Sequence, residues 1–268
     1  MRGPGKVSSQ RRQRLLDQIE GRGSVRVSEL AAALQVSELT IRRDLDELCG
    51  DGLVERFHGG AQIAHAGRRE SPFADKALQH AAEKDAIGAQ AAALAKTDDT
   101  VLVNGGSTTL AAMRHLRRRR VRIVTNNAAV AADGADATGE IILLGGALRP
   151  GSRSLVGDLA LLTLSQIHAS LCILGANGVS ARTGLTTSVY AETAINRLMA
   201  ERCDGNLAVV ADGSKIGVTS NFAGVPLAQV RILITGPSAD RQELDAIRAA
   251  GVQVIVASGD DARPEAAP

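Results

Sequence analysis

Two groups of residues in this 268-residue chain have the types and spacing to do chemistry. In the first, the apolar stretch Thr100 to Val103 runs through Asn104, Gly105 and Gly106 into Ser107, Thr108 and Thr109, the pattern of a strand passing through a glycine loop into a helix. Glycines let a backbone approach an anion closely, N–H groups at a helix start point toward it, and hydroxyls add donors. No lysine follows the glycines and the spacing is not that of a P-loop, so a single phosphate suits the run better than a nucleoside triphosphate. An ordinary helix N-cap after a tight turn is the other reading of the same residues.

The second group is the adjacent pair Arg42 and Arg43, in a helix expected from Glu38 to Cys49 with Ser37 as its cap. Taking Ile41 as inward and advancing about 100° per residue puts Ile41, Leu45 and Leu48 on one face. Leu39, Arg43 and Asp46 then point away, with Thr40, Arg42 and Glu47 on the flanks. A helix with two arginines near the start of a free face is built to lay that end in a major groove. Arg56 and His58 follow in a candidate wing, where they would reach a phosphate or the minor groove. The bland reading pairs the arginines with Asp46 and Glu47 on the same helix.

The elements that must position these residues fall into two halves. A helical segment from Arg11 to Glu20 precedes a Gly21-Arg22-Gly23 turn, and Ser28 is expected to cap a short helix from Glu29 to Leu34. After the Glu38 helix, Leu53 to Ile63 reads as two short strands around a Gly-Gly turn, which completes a winged helix-turn-helix over residues 1–63. Ala64 to Pro72 is small, polar and Pro-terminated, as a linker is. From Phe73 an Ala-rich helix is expected to run to about Lys96. Beyond it, strands are expected at Thr100 to Val103, Arg122 to Thr125, Glu140 to Leu144, Leu171 to Leu174, Leu207 to Ala211, Arg231 to Thr235 and Val252 to Val256, separated by helices. That alternation implies an α/β domain over 73–258 with a mostly parallel sheet covered on both faces. Residues 259–268 read as a disordered tail. The loops Thr125-Asn126-Asn127, Gly145-Gly146 and Gly175 to Gly178 also follow strands, so they can converge with the Asn104 loop on one pocket at the carboxyl ends of the sheet.

Composition narrows the partners. One tyrosine, three phenylalanines and no tryptophan leave almost nothing on which to stack unpaired bases, which argues against modules for single-stranded nucleic acid. Cys49, Cys172 and Cys203 stand far apart with no metal-ligand spacing, so neither a disulfide framework nor a zinc site is expected. No signal peptide and no membrane-spanning run is evident, and a cytoplasmic protein is expected. Arg114 to Arg122 holds six arginines in nine residues. A second nucleic-acid surface is conceivable there, but a cationic helix end that complements the dipole is the favoured reading.

Three runs carry a family resemblance: Val25 to Leu30 (VRVSEL), Leu34 to Leu45 (LQVSELTIRRDL) and Gly52 to Ala61 (GLVERFHGGA). Together they resemble the DNA-binding signature of the DeoR-type bacterial transcriptional regulators. The resemblance continues through NGGSTT at 104–109, Ser154 to Gly157, Gly184 to Thr187, Glu192 and Ala211 to Lys215. It implies a winged helix-turn-helix joined to an isomerase-like α/β sensor domain that binds a phosphorylated sugar, in a homodimer or homotetramer on double-stranded operator DNA, with no cofactor and no catalysis. The expected DNA-contacting residues are Ser37, Glu38, Leu39, Thr40, Arg42, Arg43, Arg56 and His58, with Glu38 and Leu39 at the variable positions of the motif. The expected effector-contacting residues are Asn104, Gly105, Gly106, Ser107, Thr108, Thr109, Asn126, Gly145, Gly146, Thr186, Glu192 and Lys215. The chain departs from the family at Asn104 and near Ser170, where the family usually has Asp. Asn104 keeps an acceptor oxygen and loses the charge, so contacts with sugar hydroxyls are expected to persist with altered preference. An active sugar-phosphate isomerase with an appended DNA-binding domain is the alternative; it needs a general base and a group to stabilise an enediolate, a case weakened by the two missing aspartates and left to Glu192 with Asp212.

Overall fold

The computed structural model describes residues 11–12, 14–19, 24–50, 54–57, 60–63, 72–133 and 137–258, and the chain divides into two units at Arg69 and Glu70. Most of the expected linker and the expected tail lie outside the described residues.

In the first unit, helix α1 (residues 14–19, with 11–12 also helical) contributes Leu15 and Ile19, both fully buried. Strand β1 (Ser24–Arg26) leads directly into α2 (Val27–Leu34), and α3 (Glu38–Gly50) follows. Ser28 is not the cap of α2: the helix begins at Val27 after Arg26, with no side-chain cap, because Val27 is itself a core residue drawn inward at the strand-to-helix junction. The tight turn between α2 and α3 is closed by Gln35 in a left-handed conformation and by the Val36 N–H donating to Ala31 O at 3.1 Å. Strands β2 (Val54–Phe57) and β3 (Gly60–Ile63) form the hairpin, and β1 adds a third, antiparallel strand on β3 that three residues of sequence do not announce. Ile41, Leu45 and Leu48 enter the core with Leu15, Ile19, Val25, Leu30 and Val54, as the helical phase requires.

The second unit carries a seven-stranded sheet in which every pairing is parallel: β4 (Thr100–Val103), β5 (Arg122–Thr125), β6 (Ile141–Leu143), β9 (Ala169–Gly175), β12 (Cys203–Val210), β14 (Ile232–Thr235) and β15 (Gln253–Val256), in the order β15-β14-β12-β9-β4-β5-β6. Each expected strand is there. Side chains alternate between two cores. Leu102, Cys172, Leu174 and Val209 face α7 (Asp158–Ser165), α8 (Tyr190–Glu201) and α9 (Arg241–Ala249), while Val101, Val103, Ile173 and Val210 face α5 (Ala81–Ala93) and α6 (Ser107–Leu116). The smaller strands β7 (Ala147–Arg149) and β8 (Ser154–Val156) pair with each other, and β10 (Gly178–Ser180), β11 (Gly184–Thr187) and β13 (Phe222–Ala223) form a separate antiparallel sheet. Chain order leaves β4 toward β5 and β6, then returns to β9 on its other side, so the sheet reverses direction between β4 and β9. That reversal opens a crevice at the carboxyl ends of those two strands.

One expected element is corrected. The helix from Phe73 breaks into α4 (Phe73–Leu78) and α5, with Gln79 extended and His80 left-handed between them. The cause is Lys84, 5% exposed, whose Nζ donates to Lys76 O and, at 2.8 Å, to Gln79 O, so the last carbonyls of α4 are capped from α5. The arginine run is a braced helix end. Arg114 and Arg117 hold Asp133, Arg117 also donates to the carbonyls of Asp133 and Val130, Arg119 donates to Ala95 O, Arg120 pairs with Asp98, and Arg122 pairs with Glu140.

Candidate functional site

The exposed face of α3 starts at its cap. Ser37 Oγ accepts from Thr40 N at 3.2 Å and shares a hydrogen bond with Thr40 Oγ1 at 2.9 Å. Leu39 stands 62% exposed beside the exposed Glu38, Arg42 and Arg43. Arg42 pairs back to Glu38 at 3.2 Å rather than forward to Asp46, a contact between two half-exposed side chains that water weakens. The residue between the arginines and the core is different in kind. Asp44 is 4% exposed and takes both Arg11 Nε and Arg11 Nη2, the latter at 2.9 Å, while Glu47 takes Arg12. The amino-terminal arginines therefore brace α3 against α1. Arg56 lies in β2 opposite Ala61, and His58 lies outside the described residues.

The crevice between β4 and β9 is the candidate pocket of the second unit. Asn104, Gly105, Gly106, Ser107 and Thr108 line it, with Gly175, Ala176 and Asn177 from the end of β9, Thr187, Glu192 and Asn196 from β11 and α8, Asp212 and Lys215 from the turn after β12, Ser152 before β8, and Phe73, Lys76, Gln79 and Lys84 from α4 and α5. The first bond of α6 to a carbonyl four residues back runs from Leu110 N to Gly106 O, and no side chain caps the helix. The amides of Ser107 and Thr108 thus have no acceptor of that kind in α6, as at any helix start. Gly105 is a tight fit, since a Cβ there would lie 2.9 Å from Ser154 Cβ.

Seven of the twelve expected effector residues line this crevice, and five do not. Thr109 is fully buried and its hydroxyl donates to Asn104 O and Gly106 O, so it shapes the loop from inside. Asn126 donates to Leu155 O; Thr186 donates to Gly178 O and accepts from Ser220 N. Gly145 and Gly146 belong to the turn before β7, where Gly146 has φ +121° and a Cβ would meet Val156 O at 2.5 Å. Asn104 lines the crevice, but its amide is committed to the protein. Its Oδ1 accepts from Gly175 N at 2.8 Å and its Nδ2 donates to Gly175 O at 3.0 Å and Asn196 Oδ1 at 2.9 Å, which ties the end of β4 to the end of β9. Asn104 therefore also braces the two strand ends. Ser170 lies at the other end of the strands, donating to Asp99 and to Thr100 O.

The charged groups are all held. Ser154 Oγ donates to Glu192 Oε1 at 2.6 Å and Thr187 Oγ1 lies 3.3 Å from Oε2. Asp212 accepts from Ser214 N and Ser214 Oγ and lies 3.8 Å from Lys84. Burial pushes the Lys84 ammonium below the usual lysine range, with Asp212 pulling the other way. Burial pushes the Cys172 thiol well above its usual range and raises Cys203 too, the opposite of what a reactive thiolate needs. Among the described residues no His, Cys, Asp and Glu cluster could hold a metal ion, and no helix is long and apolar enough to cross a membrane.

Lys76, Gln79, Lys84, Ser152 and Asn196 enter the crevice without having been singled out, whereas Asn177 belongs to the Gly175 to Gly178 loop expected to converge there and Thr187 and Asp212 lie in runs that carried the resemblance. For Lys84 the sequence did hold a signal: it occupies the apolar phase of α5, at three, four and seven residues from Ile87, Gly88 and Ala91, all buried. A lysine in an otherwise apolar stripe needs buried partners. The remainder become neighbours only through strand order.

A winged helix-turn-helix ahead of a separate α/β unit with a polar crevice is the architecture of a transcriptional regulator. The matches identify which kind. Residues 11–66 fit the model of the DeoR-like helix-turn-helix domain and residues 79–237 that of the DeoR C terminal sensor domain, so the chain belongs to the DeoR family of DNA-binding transcriptional regulators. It is similar to the HTH-type transcriptional regulator GolR of Listeria innocua, 30% identical over 250 residues, which is 92% of this chain and 98% of that protein. It is similar also to the lactose phosphotransferase system repressor of Streptococcus mutans, 30% identical over 221 residues, 81% of this chain and 87% of that one. Among solved structures, ribose 5-phosphate isomerase A of Methanocaldococcus jannaschii overlaps 51% of this chain and 55% of its own at a TM-score of 0.38 and 14% identity.

Proposed function

We propose that this regulator represses genes of sugar metabolism, that residues 1–63 bind operator DNA as part of a homo-oligomer in the cytoplasm, and that the crevice of residues 73–258 takes a phosphorylated sugar whose binding changes the affinity for DNA. Ser37, Glu38, Leu39, Thr40, Arg42 and Arg43 enter the major groove, with Leu39 offering an apolar contact to a thymine methyl and the arginines reaching guanine edges or phosphates. Arg56 and His58 serve from the wing. In the crevice Gly105 to Thr108 hold the phosphate, Lys215 neutralises it and Glu192 accepts from sugar hydroxyls.

One observation carries the effector reading: an uncapped helix start with Gly, Ser and Thr at the strand-order reversal, in a crevice that also holds Lys76, Lys84 and Lys215. The name of the similar lactose phosphotransferase system repressor agrees with it. We read the crevice as a binding site without turnover, because Glu192 and Asp212 are both held by hydrogen-bond donors on the protein instead of standing ready as bases. The test is a thermal-shift screen of sugar phosphates beside the free sugars, run with the full chain. A phosphosugar at about 100 times its Kd should stabilise the second unit by ~2.7 kcal/mol, and its free sugar far less. The same phosphosugar should alter retention of an operator fragment. Equal shifts from phosphorylated and free sugars refute the phosphate assignment, and turnover of ribose 5-phosphate refutes the binding-only reading.

A further inference from the structure

The crevice contains two carboxamides whose orientation is fixed by backbone groups. Gly175 N–H can only donate, so the Asn104 atom it meets at 2.8 Å is the oxygen, and the Asn104 NH2 is the group that meets Gly175 O and Asn196 at 2.9 Å. The Asn196 atom facing it must then be Oδ1, which turns the Asn196 NH2 the other way. Asn196 is 7% exposed and lines the crevice. Its Nδ2 is not among the sealed atoms that lack a partner, and no protein acceptor for it is found among the described residues. Asn177 obeys the same logic. Ser188 N–H donates to its Oδ1 at 3.2 Å, Thr187 Oγ1 lies 3.1 Å from that same oxygen, and the NH2 is left over in the crevice wall with no acceptor among the described residues.

Glu192 and Asn196 stand four residues apart on α8, one turn along the same face, both lining the crevice. An acceptor-only carboxylate beside a donor-only NH2 complements a hydroxyl, which gives its proton to the first and accepts from the second. Resting on the phosphosugar reading above, we propose that Asn177 and Asn196 are the specificity-determining residues of the pocket: their NH2 groups read hydroxyl oxygens on the sugar body, while the Gly105–Thr108 loop holds the phosphate. Asn104 acts through Asn196, as the residue that sets its polarity. A carboxylate at position 104 would reverse that polarity, since Asn196 would then turn its NH2 inward and show the crevice an acceptor.

Asn177→Asp and Asn196→Asp keep the oxygen that accepts from Ser188 N–H or from Asn104 and replace the outward donor by a charged acceptor. The full-length variants are titrated by thermal shift with a panel of pentose and hexose phosphates and with inorganic phosphate. The readout is the ratio of affinity for the best phosphosugar to affinity for phosphate, which cancels the effect of the added charge on the phosphate itself. The ratio is expected to fall at least ~10-fold in each variant, as losing a hydrogen bond to a desolvated polar group does. If Asn196→Asp does not fold, the half-buried Asn177→Asp carries the test alone. A ratio unchanged in the folded variants overturns this inference and leaves the pocket assignment standing. A wild-type chain that no sugar phosphate stabilises overturns both.

Discussion

Adjacent residues of α3 should respond to the same substitution in opposite ways. Asp44 has a side chain 6% exposed and holds the Arg11 guanidinium, 23% exposed, through two hydrogen bonds that clamp α3 to α1. Removing one member of a fully buried pair costs about 3–5 kcal/mol because the other charge is left unpaired. Here Arg11 can turn partly to water, so Asp44→Ala should cost about 2 kcal/mol. A unit of some sixty residues has only ~3–9 kcal/mol in all, so the loss is a large share. Hydrogen exchange of the α3 amides in the full chain reads it directly: 2 kcal/mol corresponds to roughly 30-fold faster exchange. Acceleration below about twofold would show that the pair is not a clamp and refute the argument. Arg43→Ala, one residue earlier on the exposed face, should change exchange by less than ~0.5 kcal/mol. It should nevertheless weaken binding to an operator fragment selected from a random-sequence pool, and an equal footprint would remove Arg43 from the DNA-contacting set.

Two further outcomes follow from the second unit. Gly88→Ala should lower the melting temperature: the gain in helix propensity, ~1 kcal/mol, is outweighed because the new Cβ would lie 2.7–2.9 Å from the Ala111–Ala112 backbone of α6, and overpacking against a backbone costs about 1–3 kcal/mol or more. A melting temperature equal to or above wild type would show that α5 can slide away. The Asp133 carboxyl is held below its ordinary 3.8 chiefly by its hydrogen bond to Arg114, with burial opposing. Its contribution to stability is therefore complete above that ordinary value and is lost as pH falls through the lower folded value. Melting curves from about pH 5 to pH 2 should decline more steeply for wild type than for Asp133→Asn, and parallel curves would count against the pair.

The legible parts of the site were those whose chemistry is local. A glycine-hydroxyl loop between a strand and a helix can be read from six consecutive residues, and the α3 face from a helical phase, because both depend on neighbours in the chain. The places where expectation failed depend on partners distant in sequence. Lys84 interrupts the helix expected after Phe73 by capping α4, and Thr109 and Thr186 turn their hydroxyls to backbone groups inside the fold. No spacing rule separates such a hydroxyl from one that faces a ligand.

By itself the sequence determined the two halves of the chain, the helix-turn-helix with its wing, all seven strands of the parallel sheet and the family to which these belong, since each rests on periodicity or on contiguous motifs. Tertiary structure alone decided which strand ends meet. Strand order puts β9 beside β4, and only then do Asn104, Gly175 and Asn196, 71 and 92 residues apart in sequence, form one hydrogen-bonded group that sets the polarity of the crevice. The physical reason is that a hydrogen bond fixes an amide's orientation through whatever lies within 3 Å of it, and chain separation carries no information about that distance.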